Sequence, residues 1–159
     1  MRLNLGGGST HLEGFINVDL CNEADLKHDL RNPLPFEDGS VEEIFAMHVI
    51  ESFYQWEFPA VIKDWARVLK GKITIEFTSL TDTINLYLNG GNAEERKSGH
   101  WGLYGRQDIP IDPIVLHHYV YEVDELKELM ERAGFTDIVF TQDGVMHKRG
   151  RDWRVSAKR

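Results

Sequence analysis

The sequence predicts an α/β domain built on a mostly parallel sheet. Short apolar strand patterns alternate with amphipathic helix patterns, which is typical of parallel strands joined by crossover helices. A glycine-rich turn also follows the first apolar run, in "LNLGGGSTHLEGFINVDL" at 3–20. The length of 159 residues suits a single core. We therefore expect one domain that spans 1–159.

The strands are predicted from short runs that alternate or that are continuously apolar. An edge strand is expected just before Asp29, in "HDLRNPLPF". The last two runs are separated by a short connection, so they are expected to pair antiparallel. The other predicted strands are 2–6, 15–20, 44–47, 72–77, 136–140 and 152–158.

Two segments have the three- and four-residue spacing of amphipathic helices. The first is "WEFPAVIKDWARVLK" at 56–70, with Pro59 in its first turn, where proline is tolerated. Gly71 is expected to end it. The second is "VDELKELMERAGF" at 123–135, with Gly134 as its stop.

The segment 81–119 departs from this regularity. A short helix is expected in "DTINLYLNGG", and the remainder is long, polar and rich in Gly, Pro and aromatic residues, which predicts an irregular flap or lid. Adjacent histidines on an extended segment point to opposite faces, so the two here do not easily share one ligand. The candidate substrate contacts in the flap are Trp101, Tyr104, His117 and His118.

The charge distribution argues against nucleic acid as a partner. The net charge is −8, with +5 on the last thirteen residues and −13 on the remainder. An acidic body does not favour broad contact with phosphate backbones. The basic end is interpreted as a solvated strand and terminus, and the alternative is that it contacts an anionic substrate.

Other features of the sequence favour a cytoplasmic protein. Met1 and Arg2 lead directly into the first predicted strand, without a signal-peptide pattern. The apolar runs are much shorter than the ~20 residues that span a bilayer, so no membrane partner is expected. Cys21 is the single cysteine, which excludes an internal disulfide and a four-cysteine zinc site.

The glycine-rich turn fails two common nucleotide motifs. Gly6 and Gly8 fit the first two glycines of a dinucleotide fingerprint, but the third position is His11 and Asp19 comes only 11 residues after Gly8. A P-loop lysine is absent from this turn. Glycines still let a ligand approach the backbone, and ligands of open α/β sheets bind at the carboxyl ends of strands. Asp19 would then accept hydrogen bonds from ribose hydroxyls and Asp29 from an adenine amino group.

An ordered series of segments resembles a known family. The segments are "LNLGGGSTHLEGFINVDL", "HDLRNPLPFEDGSVEEIFAMHVIESF", "WARVLKGKITIEF", "LKELMERAGFTDIVF" and the closing "HKRGRDWRV". In this order they resemble class I S-adenosylmethionine-dependent methyltransferases, in particular a compact group of predicted methyltransferases. The resemblance implies a Rossmann-like three-layer sandwich with a mostly parallel seven-stranded sheet, a C-terminal antiparallel hairpin and S-adenosyl-L-methionine as cofactor.

The resemblance also implies roles for individual residues. The glycines would lie against the methionine part of the cofactor, Asp19 would hold the ribose, and Asp29 with the backbone of Leu30 would hold the adenine. His48 would line the amino-acid or sulfonium side. The cofactor-binding candidates are therefore Gly6, Gly8, Asp19, Leu20, Asp29, Leu30 and His48.

His48 is also the candidate catalytic residue, as a general base or as a group that orients the acceptor. Glu51 is expected to be exposed, with orientation of His48 as the alternative. His147 and Arg151 are interpreted as parts of a surface turn rather than an anion site. The histidines are scattered without the spacing of metal ligands, so no metal site is expected.

The function expected from the resemblance is methyl transfer to a small or carbohydrate-like acceptor. One alternative is a non-catalytic binding module, because Ser52 and "EFTSL" at 76–80 replace polar residues that are common in the group. A nicotinamide-dependent oxidoreductase is the second alternative, although the missing third glycine counts against it. The short first crossover leaves one face poorly covered, which a homodimer would cover.

Overall fold

A computed structural model describes residues 1–107 and 116–159. Its strands are β1 (Arg2–Leu5), β2 (Ile16–Asp19), β3 (Leu26–Lys27), β4 (Val41–Met47), β5 (Leu69–Thr78), β6 (Thr136–Thr141) and β7 (Asp152–Lys158). Its helices are α1 (Phe58–Val68), α2 (Leu80–Asn89), α3 (Ala93–Tyr104) and α4 (Val123–Ala133), with a 3-10 turn at Ile50–Ser52.

The strands form one sheet in the order β3-β2-β1-β4-β5-β7-β6. Strands β1 to β5 pair parallel, and β7 lies antiparallel between β5 and β6. The predicted seven-stranded, mostly parallel sheet with a C-terminal antiparallel hairpin is confirmed. Because chain order reverses beside β1, the carboxyl ends of β1, β2 and β4 meet at a topological switch point.

The core forms where the helices cover the central strands. The apolar face of α1 is buried through Ile62 and Trp65, and that of α4 through Leu126 and Met130. Both helices lie where the apolar spacing predicts them. Gly134 adopts φ 91° as the left-handed C-cap of α4, as expected.

A pair of buried asparagines fixes the loop that replaces the first crossover helix. Asn4 on β1 lies opposite Asn17 on β2 in the parallel register. Asn4 Nδ2 donates to Asn17 Oδ1 at 2.9 Å and to the Thr10 carbonyl at 2.9 Å. Asn17 Nδ2 donates to the Gly8 carbonyl at 2.7 Å. Side chains of β1 and β2 therefore hold the loop over 6–15 through hydrogen bonds to its carbonyl groups.

The expectation that Gly71 ends the first helix is wrong. Helix α1 ends at Val68, and Gly71 lies inside β5. A Cβ on Gly71 would lie 2.1 Å from the carbonyl oxygen of Glu42, next to the irregular register of β4 against β5. The glycine is required for close approach of two strands, and the sequence signal of a helix stop looks the same.

We expect Gly71→Ala to lower the free energy of unfolding by about 1–3 kcal/mol, because a backbone carbonyl cannot move aside as a flexible side chain does. Urea denaturation measures the effect. Gly91→Ala is the matched control, since a Cβ there meets only Glu95 Oε2 at an ordinary 3.5 Å. Equal stability of the two variants would contradict this account of Gly71.

Helix α3 was not expected, because its segment was predicted to be irregular. Asn92 caps it by accepting from the Glu95 amide at 2.9 Å. It packs against α2 through two glycines: a Cβ on Gly99 would lie 2.5 Å from the Tyr87 amide nitrogen, and one on Gly102 would lie 2.7 Å from a methyl of Thr83. Glycine disfavours an isolated helix, so the packing against α2 is needed to stabilise α3.

The rest of the predicted flap at 81–119 includes α2, and its residues 108–115 lie outside the described residues. Movement of this segment as a lid stays a prediction. In the described ranges, none of the helices combines the length and apolarity needed to cross a membrane.

Candidate active site

A cavity of about 300 Å³ lies at the carboxyl edge of the sheet, at the switch point. The structure brings all seven cofactor-binding candidates to its wall. The lining residues are Gly6, Gly8, Asp19, Leu20, Cys21, His28, Asp29, Leu30, Arg31, His48, Val49, Ser52 and Phe53. Whether those seven candidates bind a cofactor stays a prediction.

The floor of the cavity requires glycine at two positions. Gly6 has φ 66° and Gly8 has φ 55°, both in the left-handed region that side chains rarely adopt. A Cβ on Gly6 would also lie 2.3 Å from Val49 Cγ2. A Cβ on Gly8 would meet nothing within 4 Å. The turn thus leaves open space beside its backbone.

Asp19 ends β2 at the edge of the cavity, and its hydrogen bonds within the described residues are to backbone amides. Its Oδ2 accepts from the Gly8 amide at 2.8 Å and its Oδ1 from the Cys21 amide at 2.9 Å. A carboxylate has about four lone-pair sites, so acceptor capacity remains for ligand hydroxyls. The same bonds fix the shape of the glycine turn.

Asp29 is engaged by a neighbour that the sequence analysis did not name. The guanidinium of Arg31 donates to both of its carboxylate oxygens, at 2.9 Å from Nε to Oδ1 and 2.7 Å from Nη2 to Oδ2. Hydrogen bonding to Arg31 lowers the pKa of Asp29. The carboxylate lies on the cavity wall in this pairing, and its proposed contact with adenine stays a prediction.

The apolar wall of the cavity was not predicted from the sequence. Val49 and Phe53 are buried after β4, and Cys21 follows β2. Burial raises the pKa of the Cys21 thiol. Their position was predictable from the sequence, since each follows a predicted strand at the edge where ligands of such sheets bind.

His48 follows β4 with a strained backbone, at φ 50°. Its Nδ1 lies 3.3 Å from Glu51 Oε1, and its Nε2 lies 3.3 Å from Asp152 Oδ2. Burial opposes the charged imidazolium, but hydrogen bonds to Asp152 and Glu51 outweigh it and raise the pKa of His48 to about 10. An imidazole that keeps its proton at neutral pH is poorly suited to act as a general base. A catalytic role for His48 stays a prediction, with orientation of an acceptor as the favoured form.

The expectation that Glu51 is exposed is wrong, because its side chain is fully buried beside His48. Its Oε1 accepts from the Thr78 amide at 2.7 Å. Burial alone would raise its pKa, but the hydrogen bond and charge of His48 lower the pKa of Glu51 to about 2. Its backbone carbonyl accepts from the His118 amide at 2.7 Å. Glu51 therefore orients the histidine and ties it to β5.

Arg151 is not part of a simple surface turn. It is 9 % exposed, and its guanidinium donates to both carboxylate oxygens of Asp152 and to the Ser98 carbonyl at 3.0 Å. It thereby ties α3 to the start of β7. His147 does lie half-exposed on the turn before β7, with its ring edge-on to His48 at 4.5 Å.

The substrate candidates lie elsewhere, since none of the four lines the cavity. Lys97 lies over the ring of Trp101 at 4.5 Å, and Tyr104 is half-exposed. His117 Nδ1 lies 2.8 Å from the Gly102 carbonyl, whereas the His118 ring stacks on Tyr54 at 4.3 Å. Their contact with a substrate stays a prediction.

Comparison of the sequence with protein-family models and with curated protein sequences finds no match. Comparison of the structure finds similar chains, and many of them are SAM-dependent methyltransferases. A SAM-dependent methyltransferase from Archaeoglobus fulgidus is 16 % identical, with a TM-score of 0.64 over 99 % of this chain and 85 % of that one. An S-adenosylmethionine-dependent methyltransferase from Mesorhizobium loti is 14 % identical, with a TM-score of 0.64 over 99 % and 90 %.

A magnesium protoporphyrin IX methyltransferase from Synechocystis, with bound SAH, is 13 % identical, with a TM-score of 0.63 over 99 % of this chain and 73 % of that one. At such identities the likeness defines the fold. The protein has the Rossmann-like fold of class I S-adenosylmethionine-dependent methyltransferases, which confirms the resemblance read from its sequence.

Proposed function

We propose that this protein is an S-adenosylmethionine-dependent methyltransferase that acts on a small or carbohydrate-like acceptor. The observation that carries the proposal is the cavity above Gly6 and Gly8, bounded by the carboxylate of Asp19, in a fold shared with methyltransferases. The donor set fits the cofactor: a floor where side chains are excluded, a carboxylate with free acceptor capacity, and an apolar wall for the adenosine.

The residues of the chain would bind and orient, while the bound cofactor supplies an electrophilic methyl group on its sulfonium. Asp19 accepts from the ribose hydroxyls, and the glycine turn admits the methionine part close to the backbone. Val49 and Phe53 exclude water from one side of the cavity. Most of the rate then comes from alignment of the acceptor with the methyl group.

His48 is proposed to orient the acceptor rather than to remove its proton. The carboxylates of Glu51 and Asp152 hold its ring at the rim of the cavity, in the imidazolium form that its raised pKa favours. An acceptor that loses a proton would release it to another group or to solvent.

Calorimetric titration tests the cofactor class. We expect heat of binding with S-adenosylhomocysteine and none with NADH, because the turn lacks the third glycine of a dinucleotide site. NADH binding alone would favour the oxidoreductase alternative, and binding of neither ligand would contradict the proposal.

Turnover distinguishes an enzyme from a binding module of the same fold. Transfer of a labelled methyl group is measured on a panel of small alcohols, amines and sugars. Label on any of them supports the methyltransferase. S-adenosylhomocysteine binding without transfer to the panel would favour the non-catalytic alternative.

A further inference from the structure

Three metal-ligating atoms converge beside the cavity, from residues far apart in the chain. His48 Nε2, Glu76 Oε1 and His147 Nδ1 all lie within 4.8 Å of one another. We propose that His48, Glu76 and His147 form a binding site for one divalent transition-metal cation, with Zn²⁺ as the probe. Two imidazole nitrogens and one carboxylate are a donor set that such cations prefer.

Two of the three distances between these atoms are close to those of a coordinated set. Bonds of ~2.0–2.1 Å at tetrahedral angles place ligand atoms about 3.4 Å apart. Glu76 Oε1 lies 3.6 Å from His147 Nδ1 and 3.9 Å from His48 Nε2. A small inward shift closes the set, and His147 is able to supply it because its side chain is 51 % exposed on a turn.

Hydrogen-bond partners hold the side chains of His48 and Glu76 in positions that suit metal ligands. His48 Nδ1 faces the buried Glu51 carboxylate, which is how the second nitrogen of a metal-bound histidine is usually held. His48 Nε2 is buried beside Glu76 Oε1 at 3.9 Å and Asp152 Oδ2 at 3.3 Å, and a bound cation would replace the proton on this nitrogen. The other oxygen of Glu76, Oε2, accepts from Arg154 at 2.9 Å, and Oε1 accepts from the amides of Met146 at 2.7 Å and His147 at 3.2 Å, so the carboxylate is fixed beside both histidines.

A second cavity, of about 190 Å³, adjoins the site and gives a cation an open position. Gly6 and His48 line both cavities, and His147 lines the second. The cation would therefore lie between the proposed cofactor cavity and a separate pocket. There it would polarise an oxygen of the acceptor, and this last step rests on the proposed methyltransferase function. Cation binding itself does not depend on that function.

The site was not predictable from the sequence, because its histidines lack the spacing of metal ligands along the chain. The fold brings the three residues together. His48 follows β4 directly, Glu76 lies on β5, and His147 lies on the turn before β7. These strands are neighbours in the sheet, so all three residues meet at one edge.

The test uses the full chain, freed of metal by a chelator and titrated with Zn²⁺ by calorimetry. We expect one tightly bound Zn²⁺ per chain, confirmed by elemental analysis after desalting. His147→Ala is expected to weaken binding more than about 100-fold, beyond what loss of an outer partner does. His100→Ala, at an exposed histidine of α3, is the matched control and should bind as the wild type does.

Glu76→Gln provides a second variant and is expected to lose the same Zn²⁺. X-ray absorption of the loaded wild type should give nitrogen and oxygen neighbours at ~2.0–2.1 Å. The proposal fails if the wild type binds no Zn²⁺, or if His147→Ala and Glu76→Gln bind it as tightly as His100→Ala. S-adenosylhomocysteine titrated into the metal-free protein separates the two proposals, since each ligand is measured without the other.

Discussion

Asp19→Ala is expected to weaken S-adenosylhomocysteine binding about 10- to 100-fold. The variant removes the carboxylate that would accept from the ribose hydroxyls, and unpaired polar groups in a complex cost about 1–3 kcal/mol. It also removes the acceptors for the Gly8 and Cys21 amides, which shape the glycine turn. Isothermal titration of both proteins measures the change in Kd.

Asp25→Ala is the matched control for this experiment. Asp25 also accepts a backbone hydrogen bond at β2, from the Asn17 amide at 2.8 Å, but it does not line the cavity. It should bind S-adenosylhomocysteine as the wild type does. Equal affinity of Asp19→Ala and wild type would refute the ribose assignment.

Glu51→Gln is expected to lower the free energy of unfolding at pH 7 by about 3 kcal/mol, because it leaves a buried imidazolium without one of its carboxylate partners. The glutamine retains an acceptor for the Thr78 amide, so the lower stability of the variant measures the effect of removing the negative charge. Urea denaturation with a chelator present measures it, and Glu23→Gln, at an exposed position, is the control.

The effect should depend on pH with a definite sign. The folded state lowers the pKa of Glu51 from 4.5 to about 2. Its carboxylate therefore contributes stability that is present above pH 4.5 and is lost as the pH falls toward 2. The difference between wild type and Glu51→Gln should shrink over that range. A difference that is small at pH 7, or constant down to acid pH, would contradict the ion-pair account.

Most of the fold was predictable because its elements have strong periodicity. Helices α1 and α4 bury clear apolar stripes, and the strands alternate or are apolar throughout. Gly71 and α3 were not predictable, for related reasons. A glycine that permits close packing looks locally like a glycine that ends a helix, and a polar helix with Gly99 and Gly102 looks like a loop. Only the tertiary contacts distinguish them.

The candidate site also has a part that was predictable from the sequence and a part that was not. The residues around the cavity follow strands, and the switch-point rule places them together. Glu51 was expected to be exposed because glutamate is almost never fully buried unless it is paired. Its partner Thr78 lies at the end of β5, and Asp152, the other carboxylate beside His48, lies at the start of β7. No local pattern in the sequence brings these groups to His48.

The asparagine pair beneath the glycine turn has a consequence for how the sheet assembles. A slip of one residue between β1 and β2 would set Asn4 against Ile16 or Val18 and turn both amides away from each other. The asparagine of the slipped strand would then lie on the other face of the sheet, and each amide left buried without a partner costs about 1–3 kcal/mol. The two amides thus fix the register of β1 against β2, and with it the geometry of the glycine turn.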